Sequence, residues 1–102
     1  MKADERRASA PQPEPELHVA GVLVHVRPDA LAGLERAVQS IEGAEVYQAS
    51  PEGRVVVILE GPDTRTLLDA MDHLRALPGV INVSLAYQHA EPLAAMQEEI
   101  RP

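Results

Sequence analysis

Short breaker clusters divide residues 17–91 into pieces long enough only for single strands and single helices. Arg27-Pro28, Gly43, Ser50-Pro51-Glu52-Gly53, Gly61-Pro62-Asp63 and Pro78-Gly79 each stop an apolar run. Residues 17–26 are valine-rich and of strand length. Across 29–40, Leu31, Leu34, Val38 and Ile41 recur at helical spacing. Asp29 is placed to cap that helix and Gly43 to close it. Residues 45–49 and 54–60 read as two strands joined by the turn at 50–53. A second helix is predicted over 64–77, capped by Asp63, with Leu67, Met71, Leu74 and Leu77 as its buried stripe. Residues 80–89 form the last strand. The order β-α-β-β-α-β predicts an α+β, ferredoxin-like split β-α-β fold: a four-stranded antiparallel sheet with two helices on one face.

The rest of the 102-residue chain reads differently. Residues 1–16 are polar and carry Pro11, Pro13 and Pro15, so a disordered tail is expected there. Arg6-Arg7 invites a signal-peptide reading, but residues 8–16 are Pro-rich and acidic where an apolar segment should follow. Residues 92–102 are expected to be flexible or a short frayed helix. One folded domain, 17–91, is thus expected between two tails. The apolar run at 19–26 contains His25 and falls far short of the roughly 20 residues that span a bilayer.

With no Phe, no Trp and two Tyr, the core must be aliphatic. Strand alternation divides it from the other face. Ala20, Val22, Val24 and Val26 are expected inward with Val55, Val57 and Leu59, and with Ile81, Val83, Leu85 and Tyr87 of the last strand. Val19, Leu23, His25, Val56, Ile58, Glu60, Ser84, Ala86 and Gln88 are then expected on the uncovered face. The first and third strands are central in this topology, so an aliphatic ribbon would cross an open sheet. Such a patch marks an interaction site, unless the C-terminal segment or a second copy covers it.

The formal net charge of −7 opposes a phosphate backbone and favours a basic peptide. No catalytic constellation is found. Ser40, Ser50 and Ser84 lack a glycine elbow, and the glycines are scattered turn residues that form no phosphate loop. Zero cysteines exclude thiolate chemistry, disulfides and cysteine metal sites. His25 and His89 fall on neighbouring strands, where a two-histidine site is conceivable, but no compact metal motif is present and no metal or cofactor is expected. Glu60 ends the central third strand and is placed to meet a guanidinium.

Three stretches carry a family resemblance. The first is His18-Val19-Ala20-Gly21-Val22-Leu23-Val24-His25-Val26-Arg27-Pro28. The second is Gly43-Ala44-Glu45-Val46 followed by Gly53-Arg54-Val55-Val56-Val57-Ile58-Leu59-Glu60-Gly61. The third runs from Leu77-Pro78-Gly79 through Val83-Ser84-Leu85-Ala86-Tyr87 to Gln88-His89. Together, in register, they resemble the NapD family over most of 17–91. The chain departs from the family pattern at Ala20 and Gly21, where serines are frequent, and at Gln88, which stands between Tyr87 and His89. The resemblance implies a non-enzymatic cytoplasmic chaperone, monomeric or weakly dimeric. Its partner would be a NapA-type nitrate reductase precursor, bound through a twin-arginine signal peptide and held back from export until its cofactor is inserted. The nine open-face residues named above are the candidate peptide-binding set. A rival with the same fold is an ACT-type regulatory module that dimerises around an amino acid. A metal-carrying domain lacks its Cys-x-x-Cys, and an acylphosphatase-like enzyme lacks its glycine-rich cradle.

Overall fold

The longest unbroken pairing joins β1 (Glu16–Val26) to β3 (Arg54–Gly61), antiparallel from His18 opposite Gly61 to His25 opposite Arg54. β2 (Ala44–Ala49) adds outside β3, and β4 (Val80–Pro92) adds outside β1, giving the order β2-β3-β1-β4. α1 (Leu31–Gln39) joins β1 to β2, and α2 (Thr64–Arg75) joins β3 to β4. The computed structural model describes residues 16–92, and the architecture is the expected ferredoxin-like α+β fold. Apart from Glu16 and Pro92, which pair at the end of the β1–β4 ladder, the two expected tails lie outside the described residues.

The core is where strand alternation on the central strands put it. Ala20, Val22, Val24, Val26, Val55, Val57 and Leu59 are buried beneath Leu34 and Val38 of α1 and Leu67, Met71 and Leu74 of α2. Both helices therefore cover one face of the sheet. Every member of this cluster is aliphatic or methionine, so its cohesion comes from many close contacts between small branched side chains.

The two helices start differently. Asp63 caps α2: its Oδ1 accepts the Thr66 backbone N–H at 2.8 Å and the Thr66 hydroxyl at 2.7 Å. Those two bonds, the hydroxyl first, hold the Asp63 carboxyl below its ordinary pKa. Asp29, expected to cap α1, makes no such bond. Pro28–Ala30 forms a 3-10 turn ahead of the helix, and the Asp29 carboxylate pairs instead with the Arg27 guanidinium at 3.5 Å. Pro28 at the first position of that turn stands where its missing N–H costs nothing.

The edge strands depart from simple alternation. On β4 the register against β1 skips Ile81 and Ala86, and on β2 the register against β3 skips Tyr47. Each skipped residue is the extra residue of a β-bulge. Ile81 was expected in the core, but the bulge turns it out to 58% exposure. Leu85 lies opposite buried Val22 and so on the helix side, yet at the sheet edge it stays 46% exposed. Of the four β4 residues expected inward, Val83 alone is buried.

Two stability outcomes follow. Leu74→Ala, at a site with 0% exposure, lowers unfolding free energy by about 3 kcal/mol, whereas Leu68→Ala on the exposed side of the same helix costs under about 0.5 kcal/mol. Urea titration of both variants checks the contrast. The depressed Asp63 carboxyl contributes stability above the ordinary carboxylate range and loses it as pH falls through its own lowered pKa. Asp63→Asn keeps a capping acceptor but removes that titration, so its midpoint near neutrality holds while its acid-side decline becomes shallower.

Candidate functional site: the open sheet face

Opposite the helices, cross-strand register arranges side chains in rows. Leu23 of β1 stands between Val56 of β3 and Ser84 of β4, with Gln48 of β2 beyond Val56. Gly21 stands between Ile58 and Tyr87, with Glu45 beyond Ile58. Val19 lies between Glu60 and His89, and His25 between Arg54 and Asn82. Leu23 is 48% exposed, and Val19, Val56 and Ile58 are partly exposed. The expected aliphatic ribbon is therefore present, and no described element lies over it.

Of the predicted set, Val19, Leu23, His25, Val56, Ile58, Glu60 and Ser84 share this face. Gln88 does not. The bulge at Ala86 reverses the phase of the rest of β4, so Gln88 lies opposite core residue Ala20 and its Nε2 donates to the Thr64 hydroxyl at 3.0 Å. Ala86 is itself the extra residue and has no partner on β1. By the same reversal Tyr87, expected inward, lies on the open face.

Tyr87 is accommodated by Gly21. A Cβ on Gly21 would sit 2.1 Å from Tyr87 Cε1, so the ring lies directly over the glycine backbone. The ring fills the gap that a missing side chain leaves between Val19 and Leu23 and makes the ribbon continuous across β1. A glycine inside a central strand signals such a close approach. The identity of the approaching group depends on the bulge, which alternation does not reveal.

Glu45, Gln48, Arg54 and Asn82 also belong to this face and were missed as contacts. Charge is unevenly spread. Glu60 and Glu45 border a depression of about 290 Å³ with Gly43 and Ile58, and Glu42 and Glu16 stand with Glu60 around an adjoining one. Gly43 adopts φ +80°, and its carbonyl accepts the Glu60 N–H at 2.8 Å, which fixes this corner. At the other end, Leu23, His25, Gln48, Arg54, Val56 and Ser84 line a trough of about 450 Å³. None of the three ion pairs among the described residues uses Glu45, Glu60 or Arg54.

The geometry does not favour a histidine metal site. His25 and His89 sit opposite Asn82 and Val19 respectively, six residues apart along β1, or about 20 Å. Among the described residues no three His, Cys, Asp or Glu groups converge on a metal position. No described helix is long and apolar enough to cross a membrane.

Comparison with known proteins places the chain among chaperones rather than enzymes. The NapD protein family model matches residues 17–92, and the chain belongs to that family. The chaperone NapD of Haemophilus influenzae is 33% identical over 75 residues, 72% of this chain and 81% of that protein. The chaperone NapD of Escherichia coli is 27% identical over 74 residues, covering 72% and 85%. The solution structure of the E. coli Tat proofreading chaperone protein NapD superposes with TM-score 0.66 at 26% identity, covering 70% of this chain and 76% of that one. The chain is accordingly a chaperone of the NapD family.

Gly21→Val should evict the Tyr87 ring, because the new side chain claims its position. Since Tyr87 is 50% exposed and can swing into solvent, the domain stays folded, with a loss of about 1–2 kcal/mol. With only two tyrosines and no Trp, near-ultraviolet circular dichroism reports the change directly. An unaltered tyrosine signal in the folded variant would contradict the Gly21–Tyr87 contact.

Proposed function

We propose that this chaperone acts in the cytoplasm on a NapA-type nitrate reductase precursor. It binds the precursor's twin-arginine signal peptide on the open sheet face and restrains export until cofactor insertion and folding are complete. The observation that carries this reading is the uncovered aliphatic ribbon bordered at one end by unpaired carboxylates. A twin-arginine signal peptide is complementary to it, with a basic head followed by an apolar run.

Burying the ribbon against such a peptide supplies the main attraction, at about 25 cal/mol per Å² of apolar surface removed from water. Val19, Leu23, Val56, Ile58 and Tyr87 form that surface, with Ala86 at its margin. Glu60, joined by Glu45, meets a guanidinium through a charge-assisted hydrogen bond. Ser84 and His25 supply polar contacts at the rim. The acidic surface as a whole speeds encounter with a basic peptide.

Calorimetric titration with a NapA-type twin-arginine peptide, beside its double Arg→Gln version, tests the reading. The native peptide binds, and loss of both arginines weakens it by about tenfold or more, the scale of one or two charge-assisted bonds. Leu23→Asp, at a half-exposed position, abolishes binding while leaving the circular dichroism spectrum unchanged. Equal affinity for both peptides, or no affinity for either, would refute the proposal. In the second case a dimer that binds an amino acid would become the reading to test.

A further inference from the structure

The open face is electrically lopsided along β1. At the Val19 end stand Glu45, opposite Ile58, and Glu60, opposite Val19. At the His25 end stands Arg54, flanked by Glu52 of the turn and by the donor groups of Gln48 and Asn82. Two carboxylates thus mark one end, and one guanidinium with amide donors marks the other. The two ends are six residues of β1 apart, about 20 Å, while the screening length at physiological salt is about 8 Å. Each end therefore acts on its own part of a ligand, and the face does not average to neutral.

A bound peptide must also satisfy its own backbone. Both edge strands are interrupted by bulges, at Tyr47 on β2 and at Ile81 and Ala86 on β4, and bulged edges resist addition of a further strand. The inner ladders are already paired. An apolar segment on this face finds no backbone partners there and so forms its own, as a helix. A helix presents partial positive charge at its N-terminus and bare carbonyl oxygens at its C-terminus.

We infer that the open face reads the direction of its client. The peptide lies with its arginines and helix N-terminus at Glu45 and Glu60, and with its C-terminal carbonyls at Arg54, Gln48 and Asn82, running in the same sense as β1 from Val19 to His25. This rests on the signal-peptide reading above. The reverse orientation sets arginines beside Arg54 and carbonyl oxygens beside Glu45 and Glu60, so it is disfavoured at both ends. About 13 helical residues, at 1.5 Å each, span the interval.

The absence of cysteine lets a spin label be confined to the peptide. The probe is a synthetic 20-residue peptide, at about the length of one apolar span, with two adjacent arginines near its N-terminus and a leucine–alanine run behind them. It carries a nitroxide on a single cysteine at one end or the other. With the isotope-labelled full chain, the N-terminal label broadens the amide signals of Val19, Glu45 and Glu60, and the C-terminal label those of His25, Arg54 and Asn82. Charge exchange by Glu45→Lys, Glu60→Lys and Arg54→Glu together, all at exposed positions, interchanges the two patterns. The opposite pattern in the unaltered protein, equal broadening from both labels, or a pattern indifferent to the exchange would each overturn the inference while leaving peptide binding intact. A peptide that binds in no orientation would remove the signal-peptide reading and this inference with it.

Discussion

The structure depends on the pairing of β1 with β3. Eight residues of each strand stand opposite one another without a register shift. Side chains alternate along a strand, so this one ladder sends Ala20, Val22 and Val24 with Val55, Val57 and Leu59 under the helices. It sends Leu23, Val56 and Ile58 the other way. A slip of one residue would exchange the two sets. The buried core and the exposed ribbon are therefore a single constraint seen from two sides. Neither can be altered by changing register without destroying the other.

The same regularity does not extend to the edges. Three extra residues, Tyr47, Ile81 and Ala86, all sit on β2 or β4. Tyr47 at 73% exposure and Ile81 at 58% are apolar surface that a flat edge would offer to a neighbouring sheet. The bulges twist those edges and break the row of free backbone groups, which limits edge-to-edge association. The exposed aliphatic surface on the broad face is thereby kept apart from any site of strand addition. A protein that displays an apolar ribbon while holding its edges irregular is built for contact through side chains.

Much of this was legible in the sequence because the decisive signals are local. Pro and Gly clusters mark the connections, and Asp63 followed by Thr66 states its own cap. The valine-rich central strands are apolar on both faces, so alternation separates two sets of residues on each, and the structure buries the set assigned inward. What was not legible required long-range pairing. Alternation places Tyr87 inward and Gln88 outward, and the structure reverses both, because Ala86 adds a residue that only the β1 ladder exposes. Asp29 had the right residue type for a cap, but Pro28 starts a tighter turn and Arg27 takes the carboxylate. Of the candidate contacts, those on β1 and β3 keep their face, whereas those on β4 depend on which side of a bulge they stand. Glu45 joins the face because β2 brings it beside Ile58, a pairing that nothing in its own sequence neighbourhood predicts.

The bulge at Ala86 acts as a reading-frame change in side-chain direction. Upstream of it, the residues of β4 opposite His25 and Leu23 are Asn82 and Ser84; downstream, those opposite Gly21 and Val19 are Tyr87 and His89, an odd-numbered set in place of an even one. Deleting Ala86 would leave Tyr87 opposite Gly21 in an unbroken ladder, whereas flattening the bulge with Ala86 retained would set Ala86 opposite Gly21 and exchange the faces of every later residue. In the flattened strand the Tyr87 ring would turn under the helices opposite Ala20, and Gln88 would stand opposite Val19, where His89 now lies. Whether Ala86 stays out of the ladder, more than the identity of any one residue, sets which chemistry the far end of the sheet displays.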